Sequence, residues 1–230
     1  MPACALAGMK TLSLAATAWL LGTSLAGAQE LPRAPLSRGD AHFVIGWQNL
    51  RKEQPSQQGC CNNDWLNGIF YGAAGAGWYW TDNLKAQVDF GGGTKASQYR
   101  YSYITTGSQS TSTTSRFTVQ QQSLALSQQY QFFRNQWFHP HIGAGVDIVR
   151  ESTSEQYQPV FVYDSANRVS TQILPARTEG PDHRVIARPF VETGFKAYMT
   201  RRAFFTGDAR MGFRHGLDEV LFRAGFGIDF

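Results

Sequence analysis

Three groups of residues in this 230-residue chain have the makings of a chemical site. His139-Pro140-His141 carries two imidazoles two residues apart, which an extended strand would place on one face, where they could seed a metal centre. No third ligand follows at metal-site spacing, so a pair of hydrogen-bonded buried histidines is the competing reading. His215, with Asp218 and Glu219 beside it and Ser152 and Ser154 on another segment, supplies the base, acid and hydroxyl of a hydrolase or acyltransferase. Cys60 and Cys61 are neighbours in a Gln-, Asn- and Gly-rich stretch. They could form a strained disulfide, stay free or pair with another chain, and without a nearby His or second pair they make a poor metal site. The expectation is of no catalytic residues, no metal and no cofactor.

A larger set of charged residues falls at alternate positions of apolar segments: Asp89, Asp147, Glu192, Lys196, Asp208, Arg210, Arg223 and Asp229. Alternation of period two is the signature of a strand with one apolar and one polar face. It is clearest in Glu219 to Phe230, where Val220, Phe222, Ala224, Phe226, Ile228 and Phe230 oppose Leu221, Arg223, Gly225, Gly227 and Asp229. A strand closing on an apolar terminal residue belongs in a sheet.

Seven further segments read the same way: His42–Asn49, Trp65–Trp80, one from Leu84 extending through Tyr99, Tyr101 and Tyr103, Phe117–Phe132, Trp137–Arg150, Arg184–Met199 and Ala203–Arg214. They come in pairs joined by alternately short and long connections. Thr81-Asp82-Asn83, Arg134-Asn135-Gln136 and Thr200 to Arg202 are the short turns; Thr105 to Ser115 and Glu151 to His183 are long, and the second contains a projecting hairpin about Asp164-Ser165-Ala166-Asn167.

Alternation alone does not say which face is enclosed. Glycines decide it: Gly91, Gly143, Gly145, Gly194, Gly212, Gly225 and Gly227 share the charged face, and only the crowded inside of a small closed sheet gains from losing side chains. The charged face is therefore the interior and the bulky face meets lipid. Charges enclosed in this way must pair, so a network of salt bridges and hydrogen bonds is expected to fill the interior, chiefly as structure. Trp78, Trp80, Phe132, Trp137, Phe138, Tyr198 and Phe205 gather at the short turns, as an aromatic girdle at a bilayer boundary would.

Met1 to Ala28 reads as a secretory signal peptide, with Lys10, an apolar stretch over Thr11 to Leu21, and Ala26-Gly27-Ala28 before the cut. Losing Lys10 lowers the formal charge from +4 to +3, a balance that points to no nucleic-acid partner. Residues 29–40 then form a short periplasmic leader and residues 41–230 one domain. No stretch is long and apolar enough for a spanning helix.

With these features the chain resembles the small eight-stranded outer-membrane β-barrels, the superfamily of the OmpA transmembrane domain, OmpX and opacity-type proteins. The resemblance covers Ala41 to Phe230 and implies an all-β, eight-stranded antiparallel up-and-down transmembrane barrel with short periplasmic turns and long extracellular loops. It further implies that the terminal strand ending FGIDF, through Phe222, Phe226, Ile228 and Phe230, is a signal read by the barrel-assembly machinery. Partners would be outer-membrane lipids, that machinery, periplasmic chaperones and an extracellular ligand of the loops. The chain departs from OmpA in ending at the barrel, without a cell-wall-binding domain. The expected function is non-enzymatic, structural or surface-interacting through the loops. A narrow porin-like channel is the first alternative, although eight strands enclose little more than their own side chains. A lipid A-modifying enzyme is the second; its His-x-Ser arrangement is missing, because Gly216-Leu217 follows His215.

Overall fold

The computed structural model describes residues 38–51, 65–133 and 137–230, all within one unit, Ala34–Phe230. The segment expected to be a signal peptide, residues 1–28, and Cys60 and Cys61 lie outside the described residues, as does all but the end of the expected leader, residues 29–40. Eleven antiparallel strands make one sheet: β1 (Gly39–Arg51), β2 (Trp65–Tyr79), β3 (Leu84–Gly93), β4 (Ala96–Thr106), β5 (Gln109–Gln131), β6 (Phe138–Tyr157), β7 (Val160–Asp164), β8 (Val169–Leu174), β9 (Arg177–Tyr198), β10 (Ala203–Phe213) and β11 (Leu217–Asp229).

The count of eight expected from the alternating segments is therefore corrected to eleven. Two stretches read as loops are largely strand. Thr and Ser in Thr105 to Ser115 suit an exposed strand, and only the tight turn at Gly107, with φ of +62°, interrupts the β4–β5 hairpin. The third segment also breaks at Thr94-Lys95, so the tyrosines beyond it belong to a separate strand paired to the first half of β5. Between Glu151 and His183, β6 runs on to Tyr157, β9 begins at Arg177, and β7 and β8 form the hairpin about Asp164.

The sheet closes on itself. β1, β2, β3, β5, β6, β9, β10 and β11 pair in that order, and β11 pairs back to β1, while β4, β7 and β8 extend from β5. From Phe43, directly opposite partners lead through Ala74, Phe90, Leu124 and Ile148 to Ala187 on β9. The other way round they lead through Phe226 and Phe205 to Ala197. Ala187 and Ala197 differ by ten positions, so the strands must be staggered and tilted, by about 35–45° in sheets closed like this. An even offset also preserves facing: a residue turned outward on one route is turned outward on the other. At roughly 3.3 Å per residue, ten tilted residues rise about 25 Å.

The outward residues met on both routes are all apolar, and many are open to the surroundings: Phe43 is 59% exposed, Phe90 66% and Phe226 60%. The inward positions hold the charges, with Asp40, Asp89, Glu151, Arg210 and Glu219 each at 1% exposure or less. The interior is not wholly polar, however. Val44, Tyr71, Ala73 and Leu221 pack together inside, and Leu50, Leu66, Ile69 and Val119 close the end away from the short turns, with Ala96 and Phe117 against them. Phe117 and Val119 are inward because β5 is in phase with Gln121 and Ser123, which the alternation over Leu124 to Phe132 extends backward.

Candidate functional site

The inward charges sort into three tiers along the closed sheet. Nearest the short turns, Lys196 Nζ donates to Asp40 at 3.1 Å and to Asp229 at 2.5 Å, while Lys85 Nζ donates to Asp40 at 3.2 Å. Tyr79 donates to Asp40 or Gln131, and Tyr198 donates to Asp229. The Lys196 ammonium also lies 3.8 Å from the centre of the Phe204 ring, so an aromatic face shares in its stabilisation.

The middle tier is the densest. Arg223 reaches Asp208 at 2.7 Å, Asp89 at 2.9 Å and Glu192 at 3.4 Å; Arg210 reaches Glu192 at 3.0 Å and Asp89 at 3.2 Å. His42 Nε2 stands 2.9 Å from Asp89, and Gln87 and Gln129 donate amide hydrogens to Asp89 and Glu192. Three carboxylates thus meet two guanidiniums: Arg223 gives one nitrogen to each acid, and Arg210 bridges Asp89 and Glu192, so each carboxylate receives a charge-assisted hydrogen bond. The distal tier joins Arg188 to Asp147, at 3.2 Å, and to Glu219; beyond it Glu151 takes Arg184 at 2.6 Å and the Gln121 amide at 2.6 Å.

Of the eight charges picked out by alternation, Asp89, Glu192, Asp208, Arg210 and Arg223 come together in the middle tier, Lys196 and Asp229 in the first, and Asp147 in the third. Asp40, Lys85, Glu151, Arg184, Arg188 and Glu219 belong equally and were missed. Their signal was the same parity: Lys85 and Gln87 oppose Ala86 and Val88, and Asp40 is in phase with His42 once β1 is taken back to Gly39.

The aromatic residues at the short turns divide. Trp78, Trp80, Trp137 and Phe138 are exposed on the outside; Phe132 and Phe205 are half-buried on the same side, packed edge-on to Tyr130 and Phe226. Tyr198 is corrected: it shares the face of Lys196 and bonds Asp229, so it belongs to the interior rather than to a girdle. Phe222, Phe226 and Ile228 form the outward row of β11. Phe230 exchanges two backbone hydrogen bonds with Gly39, N–H to carbonyl in each direction, at 2.9 and 3.1 Å. A β-carbon at Gly39 would sit 2.6 Å from the Phe230 ring, so glycine there lets the ring lie across β1.

His139 and His141 are both buried and inward, His139 edge-on to Tyr198 at 5.2 Å between ring centres. Among the described residues no group of three His, Cys, Asp or Glu is arranged to hold a metal ion. His215 lies in the β10–β11 turn, where its backbone N–H bonds Asp218, whereas Ser152 and Ser154 are on β6 with β9 between β6 and β10. The enclosed space between the first and middle tiers, bounded by His42, Lys85, Gln129 and His141, amounts to about 20 Å³, room for about one water.

No protein-family model and no curated protein matches the sequence. Solved structures resemble the fold. Neisserial surface protein A aligns with a TM-score of 0.49 at 14% identity, over 84% of this chain and 97% of its own. The N-terminal β-barrel domain of Pseudomonas aeruginosa OprF aligns with a TM-score of 0.48 at 11% identity, over 84% and 98%. The outer-membrane protein OprG of the same organism gives 0.47 at 11%, over 84% and 97%.

Proposed function

We propose that this chain is an integral outer-membrane β-barrel protein, exported by a cleaved signal peptide over residues 1–28, with a non-enzymatic role carried by the strands that project beyond the membrane. The observation that carries this reading is the inversion of an ordinary protein's surface and core. Ile45, Val88, Leu126, Val146 and Phe222 face outward and exposed, while the charges are enclosed and paired. In water that arrangement would leave a belt of apolar surface far beyond what soluble monomers expose. In a bilayer the same belt is solvated by acyl chains; its outward apolar row on β11, from Val220 to Phe230, spans ten tilted residues, roughly 25 Å, which suits the apolar band of transmembrane barrels.

The short turns, with Gly39 and Phe230, then lie at the periplasmic boundary, and β4, β7 and β8 with the distal halves of β5, β6 and β9 stand on the outer side. Surface interaction belongs to that projecting part, whose Tyr99, Tyr101, Tyr103, Phe161 and Tyr163 are exposed. The outward row Phe222, Phe226, Ile228 and Phe230 is the stretch the assembly machinery would read. Side chains fill the interior, which supports a plug over an open channel.

Membrane fractionation tests the reading. The mature chain should resist carbonate and urea extraction and run faster on electrophoresis unheated than heated. Extraction without detergent, or a mobility indifferent to heating, would refute it. Large stable conductance in planar bilayers would refute the plugged interior.

A further inference from the structure

The outer wall of the closed sheet carries a cleft with a polar lip. Position 72 on β2 and position 92 on β3 are directly opposite one another and both are glycine; Gly92 is opposite Gln122 on β5, and Gln122 is opposite Arg150 on β6. These residues form one row across four strands, with neighbouring side chains about 5 Å apart. The two missing side chains open a groove of about 330 Å³, floored by Gly72, Ala74 and Gly92 and walled by the outward Phe43 and Phe90. Gln120 and Gln122 close its upper lip. Directly below the lip the row Phe43, Ala74, Phe90, Leu124 and Ile148 is apolar; above it, Ile148 gives way to Arg150 on β6 and Leu124 to Gln122 on β5.

Arg150 is exposed and makes no ion pair among the described residues. The outward faces of β2, β3, β5 and β6 hold no carboxylate, and the charges there are cationic, Arg150 and farther out Arg116. The acids of these strands all point inward, where Asp89, Asp147 and Glu151 are engaged. An unpaired guanidinium at the upper edge of an apolar belt, flanked by two amides and standing over an aromatic-walled groove, complements an amphiphile with an anionic head and an apolar tail.

We infer that this cleft binds one phosphorylated, acylated glycolipid of the outer leaflet. Arg150, with Gln120 and Gln122, takes the phosphate, and an acyl chain lies between Phe43 and Phe90 over Gly72 and Gly92. The inference rests on the outer-membrane reading and names the lipid that reading leaves open. A phosphate here gains charge-assisted hydrogen bonds in a half-dry environment, where they are stronger than in bulk water.

Gly72 makes a clean test possible, because a β-carbon added there meets no atom within 4 Å and a larger side chain fills the groove without disturbing the wall. Wild type, Arg150→Gln and Gly72→Leu are inserted into phosphatidylcholine vesicles doped with a bisphosphorylated acylated disaccharide or with its dephosphorylated form. Lipid retained through detergent exchange is then counted by native mass spectrometry. Wild type should keep one phosphorylated glycolipid, Arg150→Gln should hold it about tenfold more weakly, the size of one charge-assisted contact, and Gly72→Leu should weaken both forms. Variants that insert normally and keep the phosphorylated lipid as well as wild type overturn the cleft while leaving the membrane reading intact. Failure of wild type to insert into any vesicle overturns the membrane reading, and the cleft with it.

Discussion

Arg223→Met isolates the energetics of the interior. The guanidinium of Arg223 touches three carboxylates, Asp208 at 2.7 Å, Asp89 at 2.9 Å and Glu192 at 3.4 Å, and the residue is 4% exposed. Its loss leaves Asp89 and Glu192 to Arg210, with His42 also at Asp89, and leaves Asp208 with no ion pair among the described residues, with little water to replace the missing hydrogen bonds. Removing one partner of a buried pair costs about 3–5 kcal/mol, which corresponds to a fall of roughly two to four powers of ten in the folding equilibrium constant. Urea unfolding of the protein in phosphatidylcholine vesicles, followed by Trp fluorescence and by the heat-dependent gel shift, measures the change. Asp208→Asn removes one of the stranded charges, so the double variant should recover part of the loss, with a coupling energy of about 1–3 kcal/mol. A cost under about 0.5 kcal/mol, the size of an ordinary surface substitution, would show that the middle tier is solvated and would refute the picture of a filled interior.

Further predictions address the wall, the packing and the projecting hairpin. Phe226→Arg puts a charge on the outward row of β11 and should destabilise the inserted protein by about 2–4 kcal/mol in vesicle unfolding, whereas Phe226→Leu should change little. Gly145→Val should cost roughly 1–3 kcal/mol in the same assay by overpacking, since a β-carbon there already falls 2.7 Å from the Phe190 ring and 2.8 Å from Ser127 Cα. Asp164 in the β7–β8 turn accepts hydrogen bonds from the Asn167 amide and the Ala166 N–H, which hold its carboxyl below the ordinary aspartate range. A lowered folded-state value contributes stability above the unfolded value and loses it as pH falls, so the protection factor of the Ala166 amide, its exchange measured against the intrinsic rate at each pH, should fall on acidification in wild type and stay level in Asp164→Asn.

Alternation in the sequence sorts residues onto two faces, because side-chain direction in a strand is local, and the glycines on the charged face say which of the two is enclosed. That is why Asp89, Asp147 and Arg223 could be assigned to one enclosed face. It fails where another cue displaces it: Tyr198 was grouped with the outer aromatics for its nearness to a turn, although two residues from Lys196 it must point the same way. The extra strands were hidden because Ser and Thr serve both turns and exposed strands, and their pairing to β5 is not local. Grouping into tiers was beyond the sequence altogether. Arg223 meets Asp89 across 134 residues, and only strand register and the ten-residue stagger bring them to one level. The lipid cleft depends on register in the same way, since Gly72, Gly92, Gln122 and Arg150 are neighbours only across strands.

The central claim is that the apolar outer face of the closed sheet is in lipid. Spin labels at Val88, Val146 and Val191 on that face, and at Arg168 in the β7–β8 turn, can be introduced singly in a chain whose Cys60 and Cys61 are replaced by Ser. Collision with dissolved oxygen and with a water-soluble nickel chelate is then measured in vesicles. The three wall positions should be open to oxygen and closed to the chelate, and position 168 open to the chelate. Wall labels that meet the chelate as freely as position 168 would contradict the account.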